Sequence, residues 1–348
     1  MAELSKVAMV ATMGLIAALL SPTAMSLEPS FISMVTDDAQ LPDGLSYDFH
    51  AESCPNLENM VREAVQAAIA KDVGVVAGLL RILFHDCFPQ GCDASLLLTG
   101  ANSELKMPQN GGLRQSALDL IESIRATVHR ACGPTVSCAD ITTLATKQAI
   151  MQSGVPGYDL PLGRKDSLAP ATFQQVGILP GPDFRIDQLV KTFADRGFDK
   201  VELAALSGAH TIGKASCGSF KNRAGENADF VLRLQGLCAR MPNRLQDLDV
   251  DTPNTFDHKY YKNLQAKKGV LVTDMALNND DKTREWVNNF AGNQGWFFGT
   301  FSNTMSKLSK LQGKPVTVGE IRNNCFRVNN GKKETLDLIV AEGIVPSA

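Results

Sequence analysis

The stretch Leu79-Leu80-Arg81-Ile82-Leu83-Phe84-His85-Asp86-Cys87-Phe88-Pro89-Gln90-Gly91-Cys92-Asp93-Ala94-Ser95 concentrates more reactive side chains than any other part of the chain. Its apolar spacing predicts a helix over 74–86, on which Arg81 and His85 stand four residues apart on one face with Phe84 beside them, while Asp86 points elsewhere. A fixed cation, a base and an aromatic wall therefore meet in one place. Asp86, Asp93 and Ser95 supply oxygens and the turn from Pro89 to Gly91 adds carbonyls, the kind of ligand that hard Ca²⁺ takes. Taken singly, Arg81 reads as a surface or paired arginine and His85 as an ordinary hydrogen-bonded histidine. Their convergence with carboxylates is what points to a site.

Outward from this segment the helical period recurs. Leu57, Met60, Val61, Ala64 and Val65 form one stripe, and helices are predicted over 57–70, 74–86, 113–130, 138–153, 186–196, 200–206, 227–239, 256–267, 282–292 and 295–310. Alternating strand patterns are scarce. Gly154-Val155-Pro156-Gly157 and Leu179-Pro180-Gly181-Pro182 punctuate the helices but are too short to link domains. With 348 residues, 44% of them hydrophobic and 20% charged, the chain can bury a large core. Lys and Arg total 34 against 37 Asp and Glu, so a net charge of −3 gives no electrostatic case for nucleic acid.

The ends differ from the middle. Lys6 precedes an apolar stretch from Val7 to Leu20 and the small-residue segment Ser21-Pro22-Thr23-Ala24-Met25-Ser26, which predicts a secretory signal over 1–26. Residues 27–40 form an N-terminal extension. After Cys325 the chain turns polar at Asn329-Asn330-Gly331-Lys332-Lys333 and then apolar from Leu336 to Val340, a C-terminal extension over 329–348 that reads as a disordered or processed tail. No Asn-x-Ser/Thr acceptor occurs, so N-glycosylation is not expected. Eight cysteines fit four disulfides in an oxidising compartment, or metal and redox chemistry in a reducing one, and the export signal favours the first.

A second constellation is Leu203-Ala204-Ala205-Leu206-Ser207-Gly208-Ala209-His210-Thr211-Ile212-Gly213, whose small residues leave room for one histidine against a flat cofactor. A neutral imidazole is a good iron ligand, although alone His210 reads more readily as a satisfied core histidine. Asp249, Thr252, Thr255 and Asp257 make another oxygen-rich stretch suited to Ca²⁺. The alternative is that Asp249 or Thr252 caps a helix near Phe256.

Together, Phe84-His85-Asp86-Cys87-Phe88, Gly91-Cys92-Asp93-Ala94-Ser95, Val136-Ser137-Cys138-Ala139-Asp140, Pro161-Leu162-Gly163-Arg164, Leu206-Ser207-Gly208-Ala209-His210-Thr211-Ile212-Gly213 and Ile321-Arg322-Asn323-Asn324-Cys325 resemble, in order, the secretory plant haem peroxidases of class III. The resemblance implies an all-α fold, a bilobal domain over 41–328 with haem between distal and proximal helical lobes and few short strands. It implies one haem b and two Ca²⁺ ions. His210 resembles the axial iron ligand and Asp274 the carboxylate behind it. His85 resembles the distal acid and base, Arg81 the cation that stabilises O–O cleavage, and Asn110 the acceptor that orients His85, with Phe84 as distal wall. The proline usual just before that asparagine stands at Pro108, with Gln109 between. Asp86, Pro89, Gly91, Asp93 and Ser95, with Glu104 through water, resemble the distal calcium site. Thr211, Asp249, Thr252, Thr255 and Asp257 resemble the proximal one. Pro180 aligns with a proline at the donor entrance, and as a bare sequence feature it is a turn residue. The implied bridges are Cys54–Cys132, Cys87–Cys92, Cys138–Cys325 and Cys217–Cys238.

The function so implied is reduction of hydrogen peroxide to water with one-electron oxidation of small phenolic donors, through an oxoferryl porphyrin-radical intermediate. Two rivals differ in class. One is a catalytically weak peroxidase-fold structural or storage protein of the cell wall or vacuole. The other is a zinc module built from His85, Cys87, Cys92, His210 and Cys217, which needs free thiolates. The expected protein is a secreted monomer, or a vacuolar one if the C-terminal extension is a sorting propeptide, with no nucleic-acid partner and no membrane attachment after signal cleavage.

Overall fold

Stripes of apolar residues at helical spacing become the inner faces of helices. A computed structural model describes residues 41–221, 223–225, 227–312 and 318–329, and the chain from Leu41 onward forms one compact unit. The signal segment, the N-terminal extension and the C-terminal extension beyond Asn329 lie outside the described residues. Those residues hold thirteen α-helices and two strands of two residues each.

Helices α1 (Leu57–Lys71), α2 (Gly74–Gln90), α3 (Gln115–Cys132) and α4 (Cys138–Gln152) pack on one another. Val61 and Val65 of α1, Leu79, Ile82 and Leu83 of α2, and Ile121 and Val128 of α3 are fully buried between them. Each such side chain contributes roughly 1.5–3 kcal/mol of burial. A second group comprises α6 (Ile186–Ala194), α7 (Lys200–Ser207), α10 (Lys259–Gln265), α11 (Val272–Asn279), α12 (Asp281–Gly292) and α13 (Gln294–Ser309), around Tyr260, Tyr261, Phe290, Phe297 and Phe301. Helix α2 bridges the groups by packing on α13 and on the one-turn α5 (Phe173–Val176). One-turn α8 (Cys217–Phe220) and α9 (Ala228–Arg240) share a smaller core that includes Phe220, Phe230 and Leu234. The antiparallel pair β1 (Lys214–Ala215) and β2 (Gln246–Asp247) lies beside it.

Buried polar ties fix the connections. Asp140 accepts from Gly163 N at 2.8 Å and from Arg164 Nη1 at 2.9 Å, and pairs with His50 Nε2 at 3.1 Å. Asp166 accepts the first amides of α4, from Cys138 at 3.0 Å and Ala139 at 2.9 Å, together with Arg322 N at 2.9 Å. A carboxylate at a helix N-terminus satisfies orphan donors and faces the positive end of the dipole. These bonds explain physically why the segments 136–140, 161–164 and 321–325 stand out in the sequence.

Three features depart from the sequence reading. Helix α2 does not end at 86 but runs to Gln90 with Pro89 inside its last turn, and stops at Gly91, whose φ of +99° lies in the glycine region. Pro89 is tolerated because it sits where the ladder is already ending. Helix α11 is absent from the sequence reading, since its buried face carries Asp274 and Asn278 beside Met275 and Leu277 and so shows no apolar stripe. Neither Asp249 nor Thr252 caps α10, which starts after His258 without a side-chain cap.

Candidate active site

On α2, Arg81, Phe84 and His85 are half-buried and share a face. Arg81 Nη2 donates to the carbonyls of Gly111 at 2.9 Å and Gln109 at 3.3 Å, so it grips the turn that carries Asn110. Pro108 opens that short 3₁₀ turn and Asn110 closes it, which leaves Asn110 facing the histidine despite the displaced proline. Asn110 Nδ2 donates to Glu104 O at 2.8 Å, so its Oδ1 is the atom that meets His85 Nδ1 at 2.7 Å. Nδ1 must then carry the proton, leaving a lone pair on Nε2. Burial first, and the Arg81 charge second, push the imidazole down to about 3 against the upward pull of Asn110.

Just below on α2, Asp86 Oδ2 accepts from Ala94 N at 2.9 Å and its Oδ1 from Leu96 N at 3.3 Å. Asp93 Oδ1 accepts from Ser95 N at 3.0 Å and its Oδ2 from Gln90 Nε2 at 2.9 Å. Burial, then repulsion from Asp93, hold the Asp86 carboxyl well above the usual range, and burial raises Glu104 as well. Ser95 Oγ and Glu104 Oε2 are buried with no hydrogen-bond partner. Crowded carboxylates beside orphaned oxygens are the donor chemistry of a hard cation.

The second histidine rides on the 3₁₀ turn Gly208–Thr211 that follows α7. A Cβ at Gly208 would overlap the Tyr261 hydroxyl and the Phe297 ring, so only glycine lets the turn lie against α10 and α13. His210 Nδ1 meets Asp274 Oδ1 at 2.8 Å; the imidazole is 35% exposed and the carboxylate 1%. Among the described residues Nε2 has no hydrogen-bond partner, which fits an axial iron ligand whose other nitrogen is fixed by a carboxylate. Asp274 is further held by Leu271 N at 2.8 Å and by the Tyr260 hydroxyl at 2.9 Å. Burial, then the Asp274 charge, raise the Tyr260 phenol far enough to keep it a donor.

Next to His210, Thr211 Oγ1 lies 3.4 Å from both Asp249 Oδ2 and Thr255 O and accepts from Asp257 N at 3.3 Å. Thr252 Oγ1 bonds Asp257 Oδ1 at 3.1 Å. The five residues of the second oxygen cluster thus converge, and burial raises the Asp249 carboxyl. Among the described residues no three or more His, Cys, Asp or Glu are arranged to hold a metal by themselves, so either cluster would bind an ion by mixing carboxylates with hydroxyls and carbonyls. Pro180 is half-buried in the loop after α5, and that loop reaches α11 where Thr273 N donates to Pro182 O at 3.2 Å.

Cys54 is bonded to Cys132, Cys87 to Cys92, Cys138 to Cys325 and Cys217 to Cys238. None of these cysteines is free, which removes the thiolates of the zinc alternative. Sequence reasoning missed Tyr260. The Tyr260-Tyr261 doublet in an apolar helix reads as core, and only its hydroxyl on Asp274 gives it away.

The comparisons agree with this layout. A family model described as peroxidase matches residues 61–293. The chain is 42% identical over 301 residues to cationic peroxidase SPC4 of Sorghum bicolor, covering 83% of each chain. It is 40% identical over 318 residues to Peroxidase 12 of Arabidopsis thaliana, 88% of each. Against Peroxidase 1 of Hordeum vulgare it is 39% identical over 296 residues, 82% of this chain and 93% of the relative. A helical fold, paired cysteines, two histidines each oriented through Nδ1 and the matches along most of the chain lead to one conclusion: this protein belongs to the plant haem peroxidases of class III.

Proposed function

We propose that the chain reduces hydrogen peroxide at a haem b held by His210 Nε2 and takes its electrons from small phenols. The observation that carries this reading is the pair of histidines, each with Nδ1 committed to an acceptor and Nε2 left for chemistry. Bound haem supplies the electron transfers to peroxide and from the donors. His85 Nε2 accepts the proton of the near peroxide oxygen and returns it to the far oxygen, which leaves as water. Asn110 keeps that nitrogen basic by holding the proton on Nδ1. The Arg81 guanidinium, fixed by two carbonyls, stabilises negative charge on the departing oxygen. Asp274 and Tyr260 set the donor strength of His210. Phe84 would narrow the distal side against large donors, and Pro180 would line the entrance by which donors reach the bound cofactor.

The two oxygen clusters each hold one Ca²⁺: Asp86, Asp93 and Ser95 with the Pro89 and Gly91 carbonyls and Glu104 through water, and Thr211, Asp249, Thr252 and Asp257 with the Thr255 carbonyl. The orphaned Ser95 and Glu104 oxygens support the first. Four disulfides support export through an oxidising compartment, consistent with the apolar N-terminal segment as a cleaved signal, and no described helix is long and apolar enough to cross a membrane.

The test is a spectrum of the purified protein with and without peroxide. A Soret band that shifts with peroxide and recovers on adding a phenol is expected. No Soret band overturns the haem assignment, and a band unmoved by peroxide overturns the catalytic reading. His85→Ala should keep the band and lose the shift.

A further inference from the structure

We infer that Trp286 and Trp296 form a second donor-oxidation site at the surface, connected through Phe290, Tyr261 and Tyr260 to His210, that serves phenols too large for the cofactor edge. The inference rests on the haem-peroxidase reading above.

The two tryptophans are the only ones in the chain, and they lie together, with ring centroids 6.0 Å apart. Both are partly buried, so each keeps a face toward solvent. From them an unbroken series of rings runs inward: Trp296 to Phe290 at 4.9 Å, Phe290 to Tyr261 at 5.2 Å, Tyr261 to Tyr260 at 5.0 Å, and Tyr260 edge-on to His210 at 6.0 Å. Four separate elements contribute: α12, α13, α10 and the turn that carries the iron ligand. Tryptophan and tyrosine are the aromatic side chains that give up one electron most readily.

The protein's other ring cluster provides an internal contrast. Behind the distal pocket, Phe84, Phe88, Phe193 and Phe198 are all phenylalanine, and Arg196 and Lys307 stand over Phe88 and Phe198. Rings that resist oxidation, covered by cations that oppose positive charge, are unsuited to carry a hole outward. The proximal series differs at its two ends, with tryptophans outside and tyrosines inside, and Phe290 is the single short bridge that the electron crosses between them. Its inner end also has somewhere for a proton to go, since the Tyr260 hydroxyl donates to Asp274 at 2.9 Å and the carboxylate can take that proton as the ring loses an electron. The Tyr261 hydroxyl donates to the backbone carbonyls of Ala204 at 2.9 Å and Ala205 at 3.5 Å, neither of which takes up a proton, so Tyr261 and Phe290 act as bridge and Tyr260 as a stop.

The chemistry balances with the established reaction. A phenol at the tryptophan pair loses one electron and releases its hydroxyl proton to water, becoming a phenoxyl radical. The electron passes inward along the rings. Two such electrons and two protons complete the conversion of one hydrogen peroxide to two waters, and the tryptophans return to their resting state.

The test compares the holoenzyme with Trp286→Phe/Trp296→Phe, which keeps ring volume and removes the readily oxidised indoles. One equivalent of peroxide with a nitroso spin trap and no donor, followed by peptide mass spectrometry, should place the adduct on Trp286 or Trp296 in the parent and lose it in the variant. With tyramine grafted to dextran as donor, kcat/KM should fall about tenfold or more, while free tyramine stays within about twofold. Adducts on neither tryptophan, or unchanged oxidation of the grafted phenol, would overturn the inference. Should the double variant fail to hold haem, Trp286→Phe should confine the adduct to Trp296 and lower kcat/KM for the grafted phenol while free tyramine stays within about twofold, and an unchanged grafted-phenol rate would overturn the inference. A parent that cannot oxidise even free tyramine refutes the peroxidase reading instead.

Discussion

Replacing Asn110 by valine removes the acceptor from His85 Nδ1 while keeping a side chain of similar width. The bond is 2.7 Å long and spans α2 and the 108–110 turn. Its worth depends on the charge of the ring. A neutral hydrogen bond contributes about 0.5–1.5 kcal/mol net and one to a charged group about 1.5–3 kcal/mol. His85 acquires positive charge as it accepts the peroxide proton, so the bond stabilises the transition state by about 1–1.5 kcal/mol more than the resting enzyme. That difference alone is about a tenfold loss of rate. Valine also frees the ring proton to move to Nε2, where the imidazole cannot act as a base, and this adds up to about another tenfold. The expected outcome is a second-order rate constant for peroxide, read by stopped-flow from the Soret change, that is lowered about 10–100-fold with haem content unchanged. A constant within about twofold of the parent, at full haem loading, would refute the orientation argument and with it the role of Asn110.

Three further outcomes follow from the same geometry. Because burial and Arg81 lower His85 to about 3, the imidazole stays neutral above that value, so the peroxide rate constant should be flat from pH 5 to 8 and fall only as pH approaches 3; a midpoint near 6 in stopped-flow profiles would contradict the lowered pKa. Asp274→Ala strands the His210 and Tyr260 donors, and at about 1–3 kcal/mol per buried orphan it should lower the calorimetric Tm and weaken haem retention together; haem content and Tm equal to the parent's would count against Asp274 as the anchor. Gly208→Ala drives a methyl into Tyr261 and Phe297 and should destabilise by about 1–3 kcal/mol in urea melts, with no change expected only if the turn is free to move.

The long helices were legible because their periodicity is long: α1, α3, α4 and α13 all lie within a few residues of the predicted spans. The histidines and both oxygen clusters were legible because their residue types are unusual in such settings. What escaped was local and cooperative. Helix α11 buries Asp274 and Asn278 along with Met275 and Leu277, so it shows no apolar face in the sequence, yet it is the element that delivers Asp274. The end of α2 was misplaced because Pro89 reads as a breaker, while the actual stop is the positive φ of Gly91. Tyr260 escaped because a buried tyrosine announces its hydrogen bond only once Asp274, fourteen residues on, has been folded against it.

The Asp166 carboxylate also sets an order of events during synthesis. It binds the first amides of α4, and its remaining donor comes from Arg322, whose guanidinium is fully buried against the carbonyl of Ala94. Helix α4 and the distal turn therefore gain their last buried tie only when Arg322 has been made. At about 5–20 residues per second, the early helices wait on the order of ten seconds or more for this third donor, with Asp166 held meanwhile by the α4 amides alone. A chain cut short before Arg322 lacks the donor that closes this network, so the packing of α4 against the distal turn depends on a segment far along the chain.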